Sequence, residues 1–334
     1  MDSIYPADEP AVAVFSGHGL RIRIQKDAPE AAGTLRILTD DPDGFADGAR
    51  ILTAPNGTRV EIDELNPPLV LPTTLHSFVV RRLADQAPWV IGRAGMQYRD
   101  LIPDRLGGSI IASHIRIPDG GPVPDMVHFH KVGFQLIFCV KGWVDVLYED
   151  QGDVIRLHAG NCFIQPPEIR HRVMFASDNI EVVEIGVPAE HVTEIDHDME
   201  LPTPHLRPER EWDGQRFVHH EAEGAEWKPF RLAGFQSRDT TIAANTHDVA
   251  GVHVIRKSDG EPDWASHDSD ILFSFVMAGT MTLEGEGREP YPLVAGDAFV
   301  IPPAMATRYS DASDDLELME VSLPGVFKTK VKGS

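Results

Sequence analysis

Two short stretches carry the side chains best suited to chemistry. HFHKVGFQLIFCVKG, residues 128 to 142, holds His128, His130 and Gln135; GNCFIQPPEIRH, residues 160 to 171, ends at His171. Side chains alternate along a strand, so His128 and His130 point to one face. By the same count Gln135, Ile137 and Cys139 share a face of the strand that follows. A third strand runs from Gly160 to Pro166, and His171 comes five residues later. Three imidazoles from two hairpins can therefore meet. Neutral imidazole is the commonest protein ligand of zinc, copper, iron and nickel, so the spacing predicts a metal site. Gln135 is the odd member. Its amide oxygen can bind a metal but is neutral and weaker than a carboxylate, so direct ligation and a hydrogen-bonding role beside the metal both stay open. A dication held this way keeps its full charge, which makes it a stronger Lewis acid and favours anionic, chelating ligands. Gln165, on the strand ending at Pro166, is placed either to bond a ligand or to satisfy a backbone group at the barrel mouth.

The elements that must position these residues read as strands. Short runs rich in Val, Ile, Phe and Tyr, such as TRVEIDEL, WVDVLYEDQGDVIRL, DILFSFVMAG and DAFVIPP, are separated by Gly, Pro and Asp. That pattern predicts an all-β sandwich or barrel. Residues 143–157 read as a hairpin with its tip at 149–153, and Pro166-Pro167 and Pro302-Pro303 end strands. The chain also repeats itself. APW (87–89) is echoed by AEW (225–227), AGMQYRDL (94–101) by AGFQSRDT (233–240), LIFCVKGWVDV (136–146) by FSFVMAGTMTL (273–283), and LHAGNCFIQPPEIRHRV (157–173) by LVAGDAFVIPPAMATRY (293–309). An offset near 137 residues means two copies of one domain rather than a solenoid. The pairs Arg99-Asp100 and Arg238-Asp239 recur in both copies, which points to the fold rather than to catalysis.

H-x-H-x4-Q-x6-G at 128–142, followed by G-x5-P-x4-H at 160–171, resembles the paired motifs of the cupins, with Gln135 where that family carries glutamate and Glu168 where it carries glycine. With the repeat, residues from about 80 to 325 resemble a bicupin. The resemblance implies an all-β fold of two tandem cupin jelly-roll barrels with a β-rich N-terminal extension. The expected divisions are 1–80 for the extension, 81–200 for a metal-binding first barrel and 201–334 for a degenerate second one, with a proline- and charge-rich link at 201–215. It also implies one divalent transition metal on His128, His130 and His171, with Gln135 as a fourth ligand or a neighbour. Fe(II) is the first expectation and Mn, Ni or Zn the alternatives. Gentisate 1,2-dioxygenases are bicupins of similar size with a three-histidine iron site, although the residues around these histidines do not match theirs closely. In the second copy the four positions hold Ala265, His267, Leu272 and Thr307, so that barrel is expected to be metal-free.

The leading functional expectation is a non-haem dioxygenase acting on a small bidentate oxygen ligand: a hydroxylated aromatic acid, a diol or a β-dicarbonyl compound. Gln135 and Gln165 would orient it, and Phe134, Ile137 and Phe163 would limit water. The alternatives are a redox-neutral isomerase, decarboxylase or hydrolase using the metal as Lewis acid, and a non-catalytic small-ligand-binding protein. Position 135 offers no carboxylate to shuttle a proton, which counts against the first alternative. A formal charge of −22, from 52 acidic against 30 basic residues, argues against nucleic-acid and anionic-membrane partners. A small-molecule substrate, including an anionic one, stays open, and a homodimer follows by family analogy. With two cysteines, no basic leader and no long apolar run, a cytoplasmic protein without disulfides is expected.

Overall fold

In a computed structural model of the chain, describing residues 1–17, 20–28, 33–55, 57–85, 89–92 and 95–332, the apolar runs become antiparallel strands. Ala87, Pro88 and Ala94 of the repeated blocks lie outside the described residues. Among the described residues the α-helices are two four-residue turns, Pro42–Phe45 and Ile242–Asn245, and none is long and apolar enough to cross a membrane. The architecture is all-β, two tandem jelly-roll barrels with a β-rich N-terminal segment. The chain forms two compact units, residues 1–22 with 71–334, and residues 23–70. In the smaller unit Thr34–Thr39 runs parallel to Arg59–Glu64, Ile51–Thr53 pairs antiparallel to it, and Ile62 is buried.

The first barrel is built from two facing sheets. One has the order Ile155–His158, Trp143–Tyr148, His171–Ala176, His128–His130, Thr193–Ile195, Ser3–Tyr5, Val12–Gly17. The other has the order Val218–His220, Cys162–Ile164, Phe134–Lys141, Ile180–Val187, Ile111–Ile117, Gln97–Asp100, Val90–Ile91. The second barrel repeats the plan, with Ile271–Ala278 and Glu317–Leu323 paired at its centre. The predicted hairpin forms, with Trp143 opposite His158 and Val146 opposite Ile155. Gly142 makes the preceding turn at φ +75, a left-handed conformation that favours glycine.

Strand Phe134–Lys141 shows how the core is divided. Phe134, Leu136 and Phe138 face outward into a cluster shared with Val252, Phe273 and Val321 of the second barrel. Ile137 and Cys139 face inward, against Phe163 and Val146. A strand buried on both faces reads as a continuous apolar run, as this one does. The expectation that Phe134 shields the site is corrected here, because its position in the alternation turns it toward the other barrel.

The barrels also exchange edge strands. Val79–Arg81 pairs with Ala298–Val300 of the second barrel, and Val218–His220 pairs with Cys162–Ile164 of the first. The repeated arginines reinforce this exchange symmetrically. Arg99 donates to the Gly296 carbonyl at 2.6 Å and to His114 Nδ1 at 2.7 Å. Arg238 donates to the Gly160 carbonyl at 2.7 Å and to His220 Nε2 at 2.9 Å. Each arginine thus ties its own barrel to the equivalent turn of the other. The link at 201–215 packs on the first barrel: Arg210 bonds Glu149 and Asp150 at 2.6 and 2.8 Å, Gln215 donates to the Gly133 carbonyl at 2.6 Å, and Trp212 joins the barrel's inner cluster.

Candidate metal centre

Register brings the histidines together. His128 lies directly opposite His171 across an antiparallel pair, and Tyr148 lies opposite His171 on its other side. Cross-strand neighbours share a face, so Tyr148, His171 and His128 form one inward row. His130, two residues along, joins the same face. The ligand-capable atoms of the three histidines all lie within 4.8 Å of one another, and this is the one such cluster of His, Cys, Asp or Glu among the described residues. Their ring centroids are 4.2 to 5.2 Å apart, and the three residues are 1 to 4% exposed.

Each ring is oriented from behind. His128 Nδ1 meets the Met126 carbonyl at 2.8 Å, with Asp125 Oδ1 at 3.6 Å; His171 Nδ1 meets the Ile169 carbonyl at 3.0 Å. A carbonyl only accepts, so both rings carry the Nδ1 proton and present the Nε2 lone pair. His130 Nδ1 is occupied by the Thr193 hydroxyl at 2.9 Å. Outward bonds of this kind fix tautomer and direction in histidines that bind metals. The donor set therefore fits a divalent transition metal: three imidazoles, convergent, buried and pre-oriented. Next to them, Gly186 leaves room for His191, since a Cβ there would stand 2.8 Å from His191 Cε1. The His191 ring approaches His130 edge-on at 5.6 Å, and burial keeps its pKa below the usual histidine value.

A cavity, partly open to solvent, extends from His130 and His171 into the barrel. Ile115, Ile137, Val146, Phe163 and Val182 are among its apolar walls, and Tyr98, Tyr148, Gln165 and Glu184 bring polar groups to it beside His130 and His171. Gln165 donates to the Tyr148 hydroxyl at 2.9 Å. Burial, reinforced by the nearby Glu184 charge, holds the Tyr148 phenol far above the ordinary tyrosine pKa, so it stays a neutral hydroxyl. Cys139 is buried, its thiol pushed up to about 12 by burial, and its Sγ lies 3.6 Å from the Lys141 and Gly142 carbonyls.

Gln135 is buried, but it is not among the residues that line the cavity. Its amide nitrogen donates to Glu184 Oε1 at 2.6 Å. Glu184 is the residue that sequence reasoning missed: the carboxylate absent at position 135 enters from the neighbouring strand, with Glu184 opposite Ile137. A signal for it exists in a fifth block of the repeat, where Glu184–Pro188 (EIGVP) matches Glu320–Pro324 (EVSLP).

In the second barrel, the positions matching the histidines and Gln135 hold Ala265, His267, Leu272 and Thr307, and His267 Nε2 meets the Ile301 carbonyl at 3.1 Å. Glu320, opposite Ser274 as Glu184 is opposite Ile137, takes both guanidinium nitrogens of Arg231 at 2.6 Å.

No protein-family model and no curated protein sequence matches this chain. Among solved structures it is similar to a variant of salicylate 1,2-dioxygenase from Pseudoaminobacter salicylatoxidans in complex with gentisate, at 17% identity and TM-score 0.57 over 79% of this chain and 88% of that one. Salicylate 1,2-dioxygenase without that substitution is similar too, at 17% identity and TM-score 0.56 over 79% of this chain and 91% of that one. The oxalate decarboxylase of Lactobacillus farciminis in its formate complex matches at 14% identity and TM-score 0.56, over 79% and 92% of the two chains. At these identities the likeness establishes the fold, a tandem pair of cupin barrels.

Proposed function

We propose that the protein is a metal-dependent bicupin oxygenase acting on a small ligand that offers two adjacent oxygens. The observation that carries this reading is the convergence of His128, His130 and His171 beside a largely apolar cavity that His130 and His171 line. These three residues would hold one divalent transition metal, with Fe(II) the first candidate, which when bound supplies Lewis acidity and one-electron chemistry toward dioxygen.

The chain's own residues do the rest. Ile137, Val146 and Phe163 receive the apolar body of the substrate and keep water from its reacting end. Gln165 and Tyr148, bonded to each other, present a fixed polar edge that orients the substrate. Gln135 works through Glu184: its amide nitrogen donates to that carboxylate and anchors it. The three histidines are held by the Met126 and Ile169 carbonyls and the Thr193 hydroxyl, so the site is arranged before ligand arrives.

A redox-neutral reaction is the second reading, and Glu184 is the observation that favours it, since such chemistry needs a group in the cavity able to take a proton. Oxygen uptake by metal-loaded protein, screened against neutral diols, β-dicarbonyls and hydroxylated aromatic acids, separates the two. Dioxygen consumed in proportion to substrate supports the oxygenase. Turnover with no oxygen consumed moves the assignment to the redox-neutral enzyme, and stoichiometric binding with no turnover refutes both.

A further inference from the structure

Strand register gives the first-barrel cavity its depth. Tyr148 lies opposite His171 and bonds Gln165, which follows strand Cys162–Ile164 of the facing sheet, so these groups mark the histidine level. Val146 pairs with Val173 one level farther in, and Val144 comes next on the same strand. On the facing sheet Glu184 lies opposite Ile137, Val182 opposite Ile115, and Ile180 opposite Ile117. All of these side chains line the one cavity. Tyr148 to Val144, and Glu184 to Ile180, are each four residues of strand, a distance of about 13 Å. Beyond Glu184 the described walls are apolar except for Tyr98, whose hydroxyl lies 3.7 Å from Met96 Sδ.

The second barrel fills the matching levels. The repeat places Met281 at the position of Val144, Leu283 at Val146, Tyr309 at Val173 and Leu318 at Val182. Those four larger side chains are 0 to 2% exposed. In the first barrel Val173 and Val182 stay only half-buried although they face inward. One backbone plan thus carries two interiors, and four valines open the one that holds the histidines.

We infer that the first barrel takes a ligand with an apolar tail, its two oxygens at the histidine end and an alkyl or aryl chain running inward between Val144 and Val182. This deepens the proposed function and rests on it, because the head is taken to lie beside a metal held by the three histidines. The tail is uncharged, so its fit does not depend on how charge is shared among the metal, Glu184 and the head. A short, wholly polar ligand would leave the inner levels to water, and walls of valine and isoleucine give water too few partners. A tail takes both itself and those walls out of water, which is worth about fourfold in affinity per methylene.

The test uses catechols carrying a linear alkyl chain of growing length, from none to pentyl, titrated calorimetrically under nitrogen into metal-loaded full-length protein. Metal content and circular dichroism are measured on every sample. Wild-type affinity should rise about three- to fourfold per methylene until the chain reaches the innermost level. Val144→Met with Val182→Leu gives the first barrel the residues of the second. It should keep the affinity for catechol itself within about twofold and lose most of the gain from the chain. Val144→Met alone should shorten the longest chain accepted. Affinity that stays flat or falls with chain length, while catechol binds, overturns the inference and leaves the proposed function standing. A gain that is unchanged in both variants also overturns it, since the chain then lies elsewhere. Metal-loaded wild type that binds no member of the series overturns the diol reading and the inference together. Wild type that fails to load metal overturns the metal-site reading itself, and the inference with it.

Discussion

Arg231→Met should strongly destabilise the second barrel. Arg231 Nη1 and Nη2 each lie 2.6 Å from an oxygen of Glu320, whose side chain is 1% exposed. The guanidinium also lies over Phe230 and Phe327, at 4.3 and 4.8 Å, so methionine keeps much of the packing and removes only the charge. What remains is a carboxylate inside an apolar barrel with its cation gone. Breaking a buried pair in this way costs about 3–5 kcal/mol, much more than the pair itself contributes relative to apolar replacements. For a urea dependence near 2 kcal/mol/M, the second-barrel transition should fall by about 1.5–2.5 M. The assay is urea denaturation followed by intrinsic fluorescence. Arg231→Met/Glu320→Leu should recover most of the loss, since no charge is then left buried. A single variant losing less than about 1 kcal/mol, or a double variant no better than the single, would refute the argument.

Further expectations follow from the same physical reading. The histidines accepting from Arg99 and Arg238 should make stability depend on pH. Arg238 donates to His220 Nε2, and burial, with that arginine's charge, lowers the His220 pKa to about 4; burial likewise lowers that of His114. A lowered histidine pKa means that the unfolded chain takes up protons first. Stability should therefore be constant above the unfolded value near 6.5, fall as pH drops below it, and stop falling on this account near pH 4. Thermal midpoints from pH 8 to 4 check this, and His220→Asn should flatten the slope. Cys139 and Cys162 are both buried with thiols pushed up to about 12 by burial, so native protein at pH 8 should resist Ellman's reagent and release two thiols per chain on unfolding. Gly142→Ala should destabilise the first barrel by about 1–2 kcal/mol, because a side chain is strained at φ +75 and its Cβ would collide with the Ser177 hydroxyl. Urea midpoints measure it.

Much of the fold was legible because two physical signals survive in one sequence. The period-2 alternation sets the faces of His128, His130, Gln135 and Ile137, and the repeat shows that one barrel is built twice. The histidine site was legible for a related reason: a fixed spacing along the chain encodes a cross-strand register, which puts His171 opposite His128. Phe134 was misplaced because alternation gives parity without saying which side is the cavity, and both faces of its strand are apolar. Glu184 was overlooked because a glutamate in IEVVEIGV reads as a solvent-facing residue, as Glu181, which pairs with His114, nearly is. The strand exchange had no local signature at all. Val79–Arg81 finds its partner at Ala298–Val300, more than two hundred residues away, on an edge that exists only after the second barrel's own sheet has formed.

The most direct test of the central claim is metal content, measured by mass spectrometry on untagged protein, wild type beside His128→Ala and His171→Ala. The account predicts close to one transition-metal ion per chain in wild type, and loss from both variants while their folded circular dichroism persists. Wild-type protein that stays without metal after reconstitution, or variants that keep their full complement, would contradict it.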